Sequence, residues 1–164
     1  MGRVFVAIRA LLYASGFIFL WGWGAARLRE GDVAAGRYLP FAFLLPGVAL
    51  AACGAVLGLA CVGLFVVKGE GTAAPFDPPR RFVAVGPFRW VRNPMYLGGV
   101  ATLAGCGLAL RSPSVVALAA AAWGLVHLFV VLVEEPGLER RFGESYRDYK
   151  RVTNRWLPRP PRAR

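Results

Sequence analysis

The stretch Ser114–Pro136, SVVALAAAAWGLVHLFVVLVEEP, decides the fold. From Ser114 to Val133 it holds no Asp, Glu, Lys or Arg, and it then stops on two glutamates and a proline. An α-helix rises about 1.5 Å per residue, so a run of this length spans the roughly 30 Å hydrocarbon core of a bilayer. Strand-period alternation is absent, so the spanning element is a helix and not part of a closed barrel. Three further apolar runs lie upstream. The first is Val4–Ala26. The second lies within Leu39–Val67 and starts near Phe43–Gly47, because Pro40 and Pro46 interrupt its front. The third, Pro94–Leu110, is short. The expected fold class is all-α: a polytopic membrane protein of about four transmembrane helices (spans about 4–26, 43–67, 94–110 and 114–133). A single domain covers 1–164, with a loop at 68–93 and a tail at 134–164.

Composition agrees. The 164 residues are 57% hydrophobic, too apolar for a soluble globule of this size and incompatible with disorder. The chain nevertheless carries 20 Lys and Arg against 9 Asp and Glu, a net charge of +11. With four spans, Arg27, Arg29, Arg37 and Arg111 fall on one side. The other sixteen cations fall on the side shared by the N-terminus, the 68–93 loop and the tail. The positive-inside rule then places both termini in the cytosol of an inner membrane. A basic surface on an apolar protein points to anionic lipid headgroups as partners, and nucleic acid is not expected. Trp21 and Trp23 read as an interfacial anchor, so the first run is a retained span and not a cleaved signal peptide.

Cys53, Cys61 and Cys106 lie in apolar runs without CxxC spacing, so neither a disulfide framework nor a metal site is expected. Gly54 and Gly58 form GxxxG, and Ala101, Gly105 and Ala109 recur every four residues. Such faces permit close helix approach and leave a homodimer possible. After Pro136 a new helical pattern starts at Gly137. Leu138, Phe142, Tyr146, Tyr149 and Val152 form one stripe, with Arg140, Arg141, Arg147, Lys150 and Arg151 on other faces. This predicts a C-terminal amphipathic helix at the cytosolic interface, followed by a basic end, Arg159–Arg164.

The residues able to carry chemistry collect at the same side. Gly86–Gly98 reads GPFRWVRNPMYLG. Asn93 suits an N-cap and Pro94 the first helical position, and Ser112-Pro113 repeats the pattern before the fourth span. Capping accounts for Asn-Pro but not for Gly86, Pro87, Phe88, Arg89, Trp90, Arg92 and Tyr96 crowded around it. Interfacial anchoring is the plain alternative. Glu134 and Glu135 either mark the membrane edge or form an acid pair able to accept hydrogen bonds from ribose hydroxyls or an ammonium group. His127, one heptad before Glu134, reads as a helix–helix hydrogen-bonding group. HExxH, GxGxxG and P-loop motifs are absent.

Together, GPFRWVRNPMYLG and the downstream EEPGLERRFGESYRDYKRVTNRWLP resemble the isoprenylcysteine carboxyl methyltransferase / phospholipid methyltransferase superfamily of integral-membrane enzymes. The resemblance covers about Gly86–Pro158. It implies S-adenosylmethionine as cofactor and a lipophilic acceptor, an isoprenylcysteine-like carboxylate or a phospholipid amine. It further implies a cofactor pocket built from Asn93, Pro94, Tyr96, Leu97, Glu134, Glu135, Phe142, Tyr146 and Tyr149. Arg92, Glu135 and Arg155 are the implied catalytic groups, and Trp156 helps close the pocket.

Two positions depart from the family pattern. Asn93 stands where many members have His, and Thr153-Asn154 replaces Val-Pro before Arg155-Trp156. Methyl transfer from a sulfonium needs chiefly alignment and charge stabilisation, which aromatic faces such as Tyr96 or Tyr146 can supply. A carboxylate acceptor needs no base. An amine acceptor must lose a proton to Glu135, Tyr96 or water. The acceptor is expected to enter sideways from the bilayer beside the short third span. The rival readings are a non-enzymatic four-helix transporter or structural partner, a small-thiol methyltransferase, and a nicotinamide-dependent membrane reductase.

Overall fold

In a computed structural model the described residues, 3–69 and 83–160, are predominantly helical and contain no strand. Six α-helices follow in order: α1 (Arg3–Ala34), α2 (Leu44–Leu64), α3 (Pro94–Ala109), α4 (Pro113–Phe129), α5 (Glu135–Phe142) and α6 (Glu144–Val152). A 3-10 turn, Phe41–Phe43, leads into α2, and another, Gly86–Arg89, precedes α3. Arg80 and Arg81 of the long loop and the end of the basic tail, 161–164, lie outside the described residues.

Three helical stretches are long and apolar enough to cross a membrane: Val4–Ala34, Phe41–Gly69 and Pro113–Phe142. The third expected span, α3, has 16 residues, about 24 Å of helix. It is the most tightly held element, because it packs antiparallel on α2 through glycine. A Cβ on Gly54 would lie 2.6 Å from the Gly98 carbonyl oxygen and the Thr102 nitrogen. A Cβ on Gly98 would lie 2.7 Å from the Gly54 oxygen. Only bare backbone permits that approach. Gly47 and Gly105 repeat the arrangement further along. The face of Gly54 that invited a homodimer is therefore filled by α3 of the same chain.

The structure departs from the sequence expectations at three places. First, α1 runs two turns past Ala26 to Ala34. The extension is held by Asp32, 1% exposed, which accepts hydrogen bonds from the Ser112 hydroxyl (2.5 Å), the Ser114 hydroxyl (2.6 Å) and the Ser114 N–H (3.0 Å). Arg37 pairs with the same carboxylate at 3.3 Å. Arg111, in the left-handed region at φ 56°, donates from Nε to the Leu39 carbonyl at 2.7 Å and closes this end.

Second, Pro136 does not break the chain. A π turn, Val130–Glu134, joins α4 to α5 in one continuous helix, with the Glu135 N–H reaching back to the Val130 carbonyl. This wider turn makes room for a proline ring and its missing N–H. Third, the tail stripe is two helices and not one. Gly143 at φ 55° and ψ −128°, a conformation open essentially to glycine, turns the chain between α5 and α6. Glu139 bridges the bend by pairing with Arg147 (2.9 Å) and Lys150 (2.6 Å).

Candidate active site

The last turns of the α4–α5 helix, the segment before α3 and the chain after α6 converge. Cys61, Val83 and Phe88 form an apolar cluster with Leu57, Leu64, Phe65 and Met95, which seats the 3-10 turn on the end of α2. Phe65 and Phe88 pack with ring centroids 5.1 Å apart. The Tyr149 hydroxyl donates to the Phe88 carbonyl at 2.6 Å, so α6 is tied to the same turn.

Asn93 occupies the N-cap position of α3, yet its side chain does not cap. Its Nδ2 donates to the Arg155 carbonyl at 3.2 Å. By contrast, the Ser112 hydroxyl does cap α4, accepting from Val115 N. The local capping preference of Asn93 yields to a partner 62 positions away. The neighbouring backbone is tied in the same way: Arg92 N donates to Asn154 O at 2.9 Å, and Arg159 N to Trp90 O at 2.8 Å. Residues 153–159 thus form a strap across the segment before α3.

Beneath the strap lies an ionic clamp. The Glu135 carboxylate accepts from Arg92 Nη2 (2.9 Å), Arg155 Nε (2.8 Å) and Arg155 Nη2 (2.9 Å). Glu135 and Arg92 side chains are 10% and 11% exposed, and Arg155 is 32% exposed. Hydrogen bonding to Glu135 raises the Arg155 pKa, so the guanidinium is permanently charged. Three ionised groups give the clamp a net positive charge, suited to an anion.

The adjacent Glu134 behaves differently. It lies beside Tyr96, and its Oε2 is buried with no hydrogen-bond partner among the described residues. Arg92 Nε is likewise buried without a partner among the described residues. Tyr146, 2% exposed, lies within electrostatic reach of Glu135, Arg92, Glu134 and Arg155. Burial pushes the Tyr146 and Tyr149 phenols well above their usual range, so both stay protonated at physiological pH.

Of the residues singled out in the sequence, Arg92, Asn93, Glu135 and Arg155 meet directly, with Tyr96, Glu134, Tyr146 and Tyr149 around them. Pro94 and Leu97 do not join this polar group. They line an open apolar groove of about 400 Å³ with Leu57 of α2, Pro87, Trp90 and Val91 of the preceding segment, and Pro158 of the strap. Phe142 ends α5 under the Arg141 guanidinium, 5.5 Å from its ring centroid. Trp156 turns away from the clamp. Its indole N–H donates to His127 Nδ1 at 3.0 Å, and its ring packs on Trp123 with centroids 4.5 Å apart. His127 is therefore satisfied by the tail and not by a second span. Trp123 carried no signal in the sequence beyond its i, i+4 spacing from His127.

Comparison with known proteins places this arrangement in context. A family model described as phospholipid methyltransferase matches residues 43–145, more than half of the chain. Among solved structures, the fold is similar to that of a eukaryotic intramembrane Ras methyltransferase, isoprenylcysteine carboxyl methyltransferase. The TM-score is 0.62 at 19% identity, covering 88% of this chain and 53% of that one. The chain spans about half the length of that protein. The comparison with curated proteins returns no match.

Proposed function

Because the chain belongs to the phospholipid methyltransferase family, we propose that it moves a methyl group from S-adenosylmethionine to a lipophilic acceptor at the membrane surface. The observation that carries this reading is the pair of orphaned buried atoms beside the clamp: the acceptor Glu134 Oε2 and the donor Arg92 Nε. An amino-acid cofactor with an ammonium, a carboxylate and a ribose offers matching groups to both. Buried polar atoms of this kind demand partners.

Glu134 would hold the ribose hydroxyls or the ammonium, and Arg92 with Arg155 the carboxylate. Tyr96 and Tyr146 would present ring faces to positive charge. When bound, S-adenosylmethionine supplies a methyl group on a cationic sulfur, open to direct displacement. The chain's own part is alignment and exclusion of water. Glu135, already accepting three hydrogen bonds from two guanidinium groups, is a poor base. An amine acceptor would therefore give its proton to water, and a carboxylate acceptor would need no base.

The open apolar groove between Leu57 and Leu97 offers the acceptor's hydrocarbon a place beside the polar group. Four spans, with both termini and the clamp on the cytosolic side, fit the charge asymmetry of the sequence. The group on which a transport reading would turn, His127, accepts the Trp156 N–H instead.

The test is calorimetric titration of the detergent-solubilised protein with S-adenosylhomocysteine. The intact chain is expected to bind, and Glu134→Ala to lose affinity at least about tenfold, or roughly 1.4 kcal/mol. Absence of binding by the intact chain overturns the reading.

A further inference from the structure

We propose that His127 is a positioning residue for this site. By accepting the Trp156 indole N–H it seats the 153–159 strap, and through the strap it sets Arg155 in the Glu135 clamp. The inference rests on the functional reading above for its binding arm and is independent of it for its spectroscopic arm.

The chemistry of the pair is one-directional. An indole nitrogen only donates, so His127 must turn an unprotonated Nδ1 toward it. Trp123 and His127, four residues apart on α4, form a two-part seat. Trp123 takes the Trp156 ring, and His127 takes its N–H. The next residue back, Arg155, makes the two-pronged contact with Glu135. Two adjacent strap residues are thus anchored to one continuous helix at points eight residues apart.

The strap also carries the Asn154 and Arg155 carbonyls that hold Arg92 N and Asn93 Nδ2. Release of Trp156 would therefore loosen Arg155 directly and the Arg92–Asn93 segment through the backbone. A guanidinium held on one side only by Glu135 is free to swing. One pinned by its neighbour's ring, packed on Trp123, is preorganised for a ligand anion.

Three variants separate positioning from bulk packing. His127→Gln keeps a hydrogen-bond acceptor of similar reach. His127→Leu keeps volume without an acceptor. Trp156→Phe keeps a ring against Trp123 without a donor. The first readout is the NMR resonance of the Trp156 indole N–H in detergent micelles, assigned by its loss in Trp156→Phe. It is expected to shift and exchange faster with water in His127→Leu, and to stay near its native position and rate in His127→Gln. The second is S-adenosylhomocysteine affinity: His127→Leu and Trp156→Phe are expected to fall about tenfold, with His127→Gln within about threefold of the parent.

Equal losses in His127→Gln and His127→Leu, or an indole resonance indifferent to His127→Leu, overturn the proposal. If the parent chain binds no S-adenosylhomocysteine, the functional reading fails while the indole resonance still decides the role of His127.

Discussion

Neighbouring glutamates with opposite surroundings should respond oppositely to the same substitution. Glu135→Gln removes the charge that holds two guanidinium groups, of which Arg92 is 11% and Arg155 32% exposed. Removing one partner of a buried ion pair costs about 3–5 kcal/mol. Arg155 is partly in reach of water and recovers some hydration, which brings the expected cost to about 2–3 kcal/mol. For a chain of this length each kcal/mol moves the unfolding midpoint by about 3 °C, so the midpoint should fall by about 6–9 °C.

Glu134→Gln instead replaces a carboxylate that has a buried, unpartnered oxygen. It removes a desolvation penalty and should leave the midpoint within about 3 °C of the parent. The assay is thermal unfolding in detergent micelles followed by tryptophan fluorescence, with the same samples titrated against S-adenosylhomocysteine. Glu134→Gln should bind at least about tenfold more weakly despite its intact fold. A Glu135→Gln midpoint within about 2 °C of the parent would refute the clamp, as would a Glu134→Gln midpoint that falls equally far.

Other features carry their own tests. Gly54→Leu should prevent stable folding, since the new side chain meets the Gly98 and Thr102 backbone and overpacking against rigid backbone exceeds the usual 1–3 kcal/mol or so. Recovery of monodisperse protein at parental yield would count against the close α2–α3 approach. Asp32→Ala should destabilise by about 3 kcal/mol, as it leaves the buried Ser112 hydroxyl and the Ser114 polar groups without their acceptor. The same unfolding assay reads it, and cofactor affinity should change little because the cluster lies at the far end of the bundle. Leu57→Trp should obstruct the apolar groove, raising KM for a lipid acceptor at least about fivefold while S-adenosylhomocysteine binding holds, an effect of about 1 kcal/mol. Equal loss of both would deny that the groove and the polar group have separate ligands.

The helices were legible in the sequence wherever the cause is local. Apolar runs set α2, α3 and α4, and Ser112-Pro113 announced a cap that forms as expected. Two of the misreadings share one origin, a partner distant in sequence. REGDVA after the first run looks like a polar loop, yet it stays helical because Asp32 meets Ser112 and Ser114, 80 and 82 residues away. Asn93 looks like a cap and bonds the strap instead. The apolar stripe through Phe142 and Tyr146 suggested one helix and hid the turn that Gly143 permits. The candidate site was legible as a set of residues, but its internal division was not. Nothing in the letters Glu-Glu distinguishes the residue that binds two arginines from the one left with an unpartnered oxygen.

That division depends on the π turn at 130–134. Such a turn is an α-helix carrying one surplus residue, so it acts as a phase shifter between the two halves of a rod. Winding the same residues as regular α-helix, with none removed, would rotate everything beyond by about 100° relative to the membrane portion. Glu135 would leave the arginines, Glu134 would leave Tyr96, and Arg155 and Trp156 could no longer reach their separate anchors together. Hydropathy and composition would not change at all. In this chain the identity of the working residues is set by angular register as much as by sequence, and a family member with one residue fewer here would present the same faces if it wound as regular α-helix.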